Sequence, residues 1–167
     1  MSTVHLSFPD VLLIIAVAAN GLLAGLFFSF ACAITPALRR VDDRSYVQAF
    51  RAINAAILNG WFLLIFCAAP LSAIAVAVLP LGNRHAATLP WLIAGAVCSV
   101  ATFGVTAAAN VPLNRALDRA PTSMETHYRV ARERFENRWN RWNLIRTLTS
   151  SGALTLFAIA ATRHSPA

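Results

Sequence analysis

Residues 11–34 read VLLIIAVAANGLLAGLFFSFACAI, a run without one Asp, Glu, Lys or Arg. At about 1.5 Å per residue, a helix of that length rises roughly 36 Å, enough to cross a hydrocarbon core of about 30 Å. Residues 55–79, 91–109 and 144–162 are long and apolar enough to do the same, the last broken only by Arg146. Apolar residues make up 57% of the chain and charged ones 13%, against about 25% charged in a soluble domain. The expectation is all-α: a four-transmembrane-helix bundle forming a single membrane domain over 1–167, embedded in a lipid bilayer. Connections 35–54 and 110–143 lie on one side of it.

Ala31-Cys32-Ala33 has the small-residue pattern of a signal cleavage site. Residues 1–10 lack Lys and Arg, however, and the apolar run exceeds the usual signal core of about 7–15 residues, so a retained helix is expected.

All fourteen basic residues are Arg, and twelve of them lie in or beside the first and third connections. Only Arg84 and Arg163 fall on the other side. The positive-inside rule puts those two connections in the cytoplasm and both termini outside it, as in a bacterial inner membrane. Net charge is +7, but the juxtamembrane arginines are interleaved with Asp42, Asp43, Glu133 and Glu136, which argues against nucleic acid as a partner.

Asp42-Asp43 can cap an amphipathic helix carrying Tyr46, Val47, Phe50 and Ile53 at helical spacing, a lead-in to the second span. After Pro121, Thr122-Ser123-Met124-Glu125 has the spacing of a capping box. From there to Thr162 only Gly152 weakens the helix, so a long cytoplasmic extension of the fourth helix, roughly 30 Å, is predicted. Gly21, Gly25 and Ser29 recur every four residues and suit either internal packing or a homodimer face. Pro70 should kink the second span, and Trp91 should anchor the third at the outer interface.

No Asp or Glu lies within a span, which weakens proton-coupled transport. His5, His85, His127 and His164 lie outside the spans without metal-ligand spacing, arguing against a bis-histidine haem. Cys32, Cys67 and Cys98 sit singly in three helices and read as small core residues. Asparagine is the remaining polar signal. Asn54 and Asn59 stand at the start of the second span, Asn110 and Asn114 at the end of the third, and Asn143 at the start of the fourth. Beside Asn143, the stretch Phe135-x3-Trp139-x2-Trp142-Asn143-x2-Arg146 falls on one helical face at about 100° per residue. These residues suit either a helix-end network holding the bundle together or a pocket for a planar ligand.

Asn110-Val-Pro112-Leu-Asn114 after Phe103-Gly104-Val105-Thr106, the 135–146 pattern, Ala52-Ile53-Asn54 and Asn59-Gly60-Trp61 together resemble the anthrone oxygenase-like family of small four-helix membrane proteins. The resemblance covers nearly the whole chain. It implies oxidation by O2 of an activated aromatic methylene to a carbonyl, a monooxygenase reaction without flavin, haem or metal, with O2 as co-substrate and no other cofactor. The sequence carries no Gly-rich dinucleotide turn and no His/carboxylate iron triad. On this reading Arg146 stabilises the substrate's oxyanion. Asn143, Asn114 and Asn110 donate to substrate or peroxide oxygens, with Asn54 and Asn59 at the same level. Trp139, Trp142, Trp61 and Phe135 bind a planar aromatic small molecule. His127 and Glu136 are the nearest base candidates, and both are expected to face solvent. The other readings are a non-catalytic scaffold or partner subunit, whose asparagines would pair helix to helix, and a small-molecule carrier.

Overall fold

The computed structural model describes residues 7–79 and 85–164, and these are almost entirely helical, with no strand among them. Helix α1 (Phe8–Ser29) starts on a reciprocal cap, in which Ser7 N–H donates to the Asp10 carboxylate and the Ser7 hydroxyl accepts from Asp10 N–H. It runs on through a π-helical turn at Phe30–Ile34 and a last turn, Thr35–Leu38. Helix α2 (Asp43–Ile57) is the amphipathic lead-in, capped by Asp42 as predicted. Helices α3 (Gly60–Val78) and α4 (His85–Val105) follow, and a second π turn at Thr106–Asn110 leads into α5 (Val111–Arg119). The 40-residue α6 (Glu125–His164) ends the described chain after passing unbroken through Gly152.

Among the described residues, four helical stretches are long and apolar enough to span a membrane. They form a ring in which α1 touches α3 and α6, and α4 touches the same two. Leu13, Ala16, Ala73, Val76, Leu92, Ala153 and Phe157 fill its centre. Outward, Ile14, Leu22, Leu64, Leu71, Val97 and Leu148 stay exposed, an apolar belt that a soluble monomer would not carry. The chain is an integral membrane protein.

Each π turn stands directly before an X–Pro step, and the proline supplies the reason. Pro36 and Pro112 have no N–H to return to the carbonyl four residues back, and their rings crowd it. The chain widens instead, so that Thr35 N–H reaches Phe30 O and Val111 N–H reaches Thr106 O. The Thr35 hydroxyl adds a bond to Phe30 O at 2.9 Å. Both turns lie at the arginine-rich end, and both bring a residue into the interior there, Phe30 and Asn110.

Three expectations need correction. The second membrane helix starts at Gly60 rather than Ala55, because the chain turns at Leu58 and Asn59 caps the new helix by accepting from Phe62 N–H. Residues 122–124 form a loop, so Glu125 opens α6 and Ser123 Oγ lies 3.2 Å from His127 Nδ1 in place of a capping box. Cys32 and Cys67 are exposed on the outside of the bundle, and Cys98 is half-buried.

The fourth helix does extend beyond the others, but not as a bare rod. Helices α2 and α5 pack on it around Tyr46, Val47, Phe50, Leu117, Tyr128 and Phe135. Arg132 ties the first connection to α6. Its guanidinium pairs with Glu136 at 2.8 Å and Asp43 at 3.1 Å, donates to Val41 O and Arg39 O, and stacks 4.5 Å from the Tyr46 ring centre. Arg39 holds the other Glu136 oxygen at 3.0 Å. At the far end, Arg163 lies 5.1 Å over Trp91.

The small-residue stripe is only partly used within the chain. Gly21 faces Leu154, whereas Gly25 meets no neighbour and Ser29 is exposed, its hydroxyl bonding back to Gly25 O. Gly95 is tighter, since a methyl there would stand 2.7 Å from the fully buried Phe157 ring. Gly95→Ala should therefore cost about 1–3 kcal/mol through overpacking, read as a lower thermal midpoint in detergent. Gly25→Ala should leave the midpoint unchanged or raise it. Equal losses in both would contradict this packing. A second outcome concerns Tyr46, whose phenol is pushed well above its usual 10.0 by burial and then by the charge of Glu136. A raised value means that its contribution to stability is complete below pH 10 and lost only as pH climbs through the higher value. The 295 nm absorbance difference between the wild type and Tyr46→Phe should thus show no ionisation step near pH 10.

Candidate functional site

The interior of the arginine-rich end is built around Trp139. Helical spacing puts Phe135, Trp139, Asn143 and Arg146 on one stripe of α6, and all four are buried. Phe50 from α2 meets Phe135 and Trp139 edge-on, with ring centres 4.7 and 4.8 Å apart. Phe30, delivered by the first π turn, packs 5.3 Å from the indole. Four aromatic side chains from three segments thus close over one another, the offset and edge-on geometry that rings prefer.

A polar network threads through this cluster. Trp139 Nε1 donates to Asn114 Oδ1 at 2.8 Å, and Asn114 Nδ2 donates to Asn54 Oδ1 at 2.7 Å, linking α6, α5 and α2. Asn110 Nδ2 reaches Trp139 O at 3.5 Å, while its own Oδ1 is buried without a partner among the described residues. Asn143 donates to Phe27 O at 3.0 Å, bridging to α1, and accepts from Arg146 Nη2 at 2.8 Å. Arg146 is 5% exposed, with its guanidinium 4.2 Å over Phe27 and 5.2 Å over Trp139. Among the described residues its Nε has no partner, and none of the ion pairs includes it. Ring faces offer a cation about 0.5–2 kcal/mol, less than the several kcal/mol that desolvating an ion costs. Arg146 is an under-compensated buried cation.

A cavity at this end lies on the other side of the aromatic cluster. A groove of about 670 Å³ runs between α5 and the first turns of α6, floored by Leu113, Leu117, Ala131 and Phe135. Arg119, Arg134, Arg138, Glu133 and His127 supply its polar edge. Arg51 of α2 sets the far wall by donating to Leu117 O and Ala120 O at the end of α5. Arg146 touches Trp139, Trp139 stacks on Phe135, and Phe135 lines the groove. The buried cation is therefore two rings away from the open volume.

The structure brings together Asn54, Asn110, Asn114, Phe135, Trp139, Asn143 and Arg146. It sets three expected residues apart. Trp61 is 77% exposed on the outside of α3, Trp142 is 38% exposed at the edge of the α6 stripe, and Asn59 is occupied as a helix cap. Of the two base candidates, Glu136 is held by Arg39 and Arg132, whereas His127 is half-buried and lines the open groove. The groove arginines were not singled out by sequence reading. Their signal was the spacing His127, Ala131, Arg134, Arg138 on one face of α6, opposite Leu113, Leu117 and Ala120 of α5. Among the described residues, no three His, Cys, Asp or Glu side chains gather as a metal site would need.

The sequence profile of the anthrone oxygenase family matches residues 57–156, well over half of the chain. The match includes both walls of the groove and every network residue except those of α1 and α2. No curated protein and no solved structure matches the chain.

Asn114→Ala removes the acceptor of the Trp139 indole and the donor to Asn54. It should lower stability by about 1–3 kcal/mol for the polar groups left unpaired. In a double-mutant cycle, Asn54→Ala should cost much less in the Asn114→Ala background than in the wild type. Strictly additive losses would disprove the coupling, and Trp61→Phe should be neutral.

Proposed function

We propose, from the premise that the chain belongs to the anthrone oxygenase family, that it is a membrane oxygenase acting on an activated, planar aromatic substrate in the groove between α5 and α6. The single observation that carries this is the groove itself: an apolar, aromatic-backed cavity of about 670 Å³, within the usual range for ligand sites, with a histidine and three guanidinium groups on its edge. The twelve-to-two division of arginines supports a cytoplasmic opening in a bacterial inner membrane, with both termini on the other side.

The chemistry needs few protein groups, because the substrate supplies the electrons. His127 takes a proton from the methylene flanked by two aromatic rings and a carbonyl-conjugated system, with Ser123 beside its Nδ1. The delocalised carbanion transfers electrons to O2 and forms a C–O bond, giving a hydroperoxide once protonated. Loss of the remaining C–H proton and cleavage of the O–O bond release one water and leave the carbonyl. One CH2 and one O2 thus become one C=O and one H2O, with no external reductant. The rim arginines stabilise the developing oxyanion, and Phe135 supports the rings. Arg146, Asn143, Asn110 and Asn114 then act as positioning residues: they hold Trp139, which backs Phe135.

A second reading is a non-catalytic scaffold or partner subunit, favoured by the pairing of Asn54, Asn114, Trp139 and Asn143 across helices. Protein in nanodiscs, supplied with an anthrone, distinguishes the two. The oxygenase should consume O2 above the spontaneous rate, one O2 per quinone formed and without accumulating H2O2. His127→Gln should lower kcat by about 10²-fold or more at an unchanged thermal midpoint. Absence of anthrone-dependent O2 uptake would favour the scaffold, and full turnover by His127→Gln would remove that residue from the role of base.

A further inference from the structure

The rim of the groove is unbalanced in charge. Arg119 stands in the last turn of α5, and Arg134 and Arg138 stand one turn apart on the same face of α6. Like charges at that spacing repel. The ion pairs among the described residues are Arg39–Glu136, Arg132–Asp43 and Arg132–Glu136, so none of the three takes part in one. Glu133 is the one carboxylate in the lining, against three guanidinium groups. Below this rim the floor is apolar, with Leu117, Ala131 and Phe135 buried. Such a site satisfies an apolar body and a planar anion together, since two guanidinium forks match a carboxylate in geometry as well as charge.

We infer that the groove selects fused-ring aromatics carrying a fixed carboxylate, the rings lying on Leu117, Ala131 and Phe135 and the carboxylate between Arg134 and Arg138. This rests on the oxygenase reading of the same groove, and it adds the substrate class: an aromatic acid in preference to its uncharged counterpart. The groove's volume leaves space for a ring substituent beside the fused rings.

The test uses two unreactive, product-like probes, anthraquinone-2-carboxylate and its methyl ester, bound to the protein in nanodiscs of phosphatidylcholine. The acid should bind tighter by about tenfold or more at low salt, the yield of one charge-assisted pair. The preference should shrink as salt rises. Arg134→Gln/Arg138→Gln should abolish it, while Arg141→Gln, an exposed arginine outside the lining, should retain it. Equal binding of acid and ester, or a preference surviving the double substitution, overturns the inference. So does a preference that disappears when phosphatidylglycerol is included, which would assign the rim to lipid headgroups. Oxygen uptake is scored separately with charged and uncharged anthrones. Turnover of both without acid preference sinks the anion selectivity alone, and acid-selective binding without any turnover sinks the oxygenase reading alone.

Discussion

The indole of Trp139 joins the two halves of this protein. Its ring faces close against Phe30 and Phe50, its Nε1–H is committed to Asn114, and its backbone carbonyl is the partner of Asn110. Through those contacts one residue of α6 touches the first π turn, the amphipathic helix α2, and both the π turn and the helix that follow α4. Without it Asn114 loses its hydrogen bond to α6, Phe30 and Phe50 lose a ring neighbour, and Phe135 in the groove loses the ring stacked behind it.

Two prolines make that junction reachable. An unbroken α-helix in lipid satisfies its backbone internally, and any departure must re-satisfy the freed groups. At Pro36 and Pro112 the chain does so by widening to π turns, a local change that turns Phe30 and Asn110 inward without ending either helix. The same end of the bundle gathers the polar side chains. The hydrogen bonds Trp139–Asn114, Asn114–Asn54, Asn110–Trp139 and Asn143–Phe27 each join different segments, which makes them a brace. Arg146 is the exception: a cation held by one amide and two ring faces, its charge compensated less completely than that of Arg132, which has two carboxylates.

Brace and groove stand on opposite sides of one aromatic wall, and this division of labour shapes the functional reading. On one side the buried network holds Trp139, which stacks on Phe135. On the other side the groove is open and edged with charge, and among the described residues its arginines take no part in the ion pairs that lock Arg132 and Arg39. Arg51 serves the groove from behind by fixing the end of α5, a contact between residues more than sixty positions apart.

The sequence by itself determined what depends on local composition and period. Four apolar runs can only be membrane helices, because their length matches the hydrocarbon core and their side chains cannot be buried within a chain this short. The Asp42 cap, the amphipathic α2 and the shared helical face of Phe135, Trp139, Asn143 and Arg146 were legible for the same reason, since capping and helical periodicity act within a few residues. Only the tertiary structure decided which polar groups face each other and where empty space remains. Trp142 satisfied the same spacing logic as Trp139, and Trp61 was expected as a further wall, yet both lie outside because no neighbouring helix covers them. His127 gained its place in the groove from α5, a partner that its own surroundings in the chain do not announce. Burial is a property of pairs of helices, and a cavity is the place where their packing stops, so neither is written in the period of a single one.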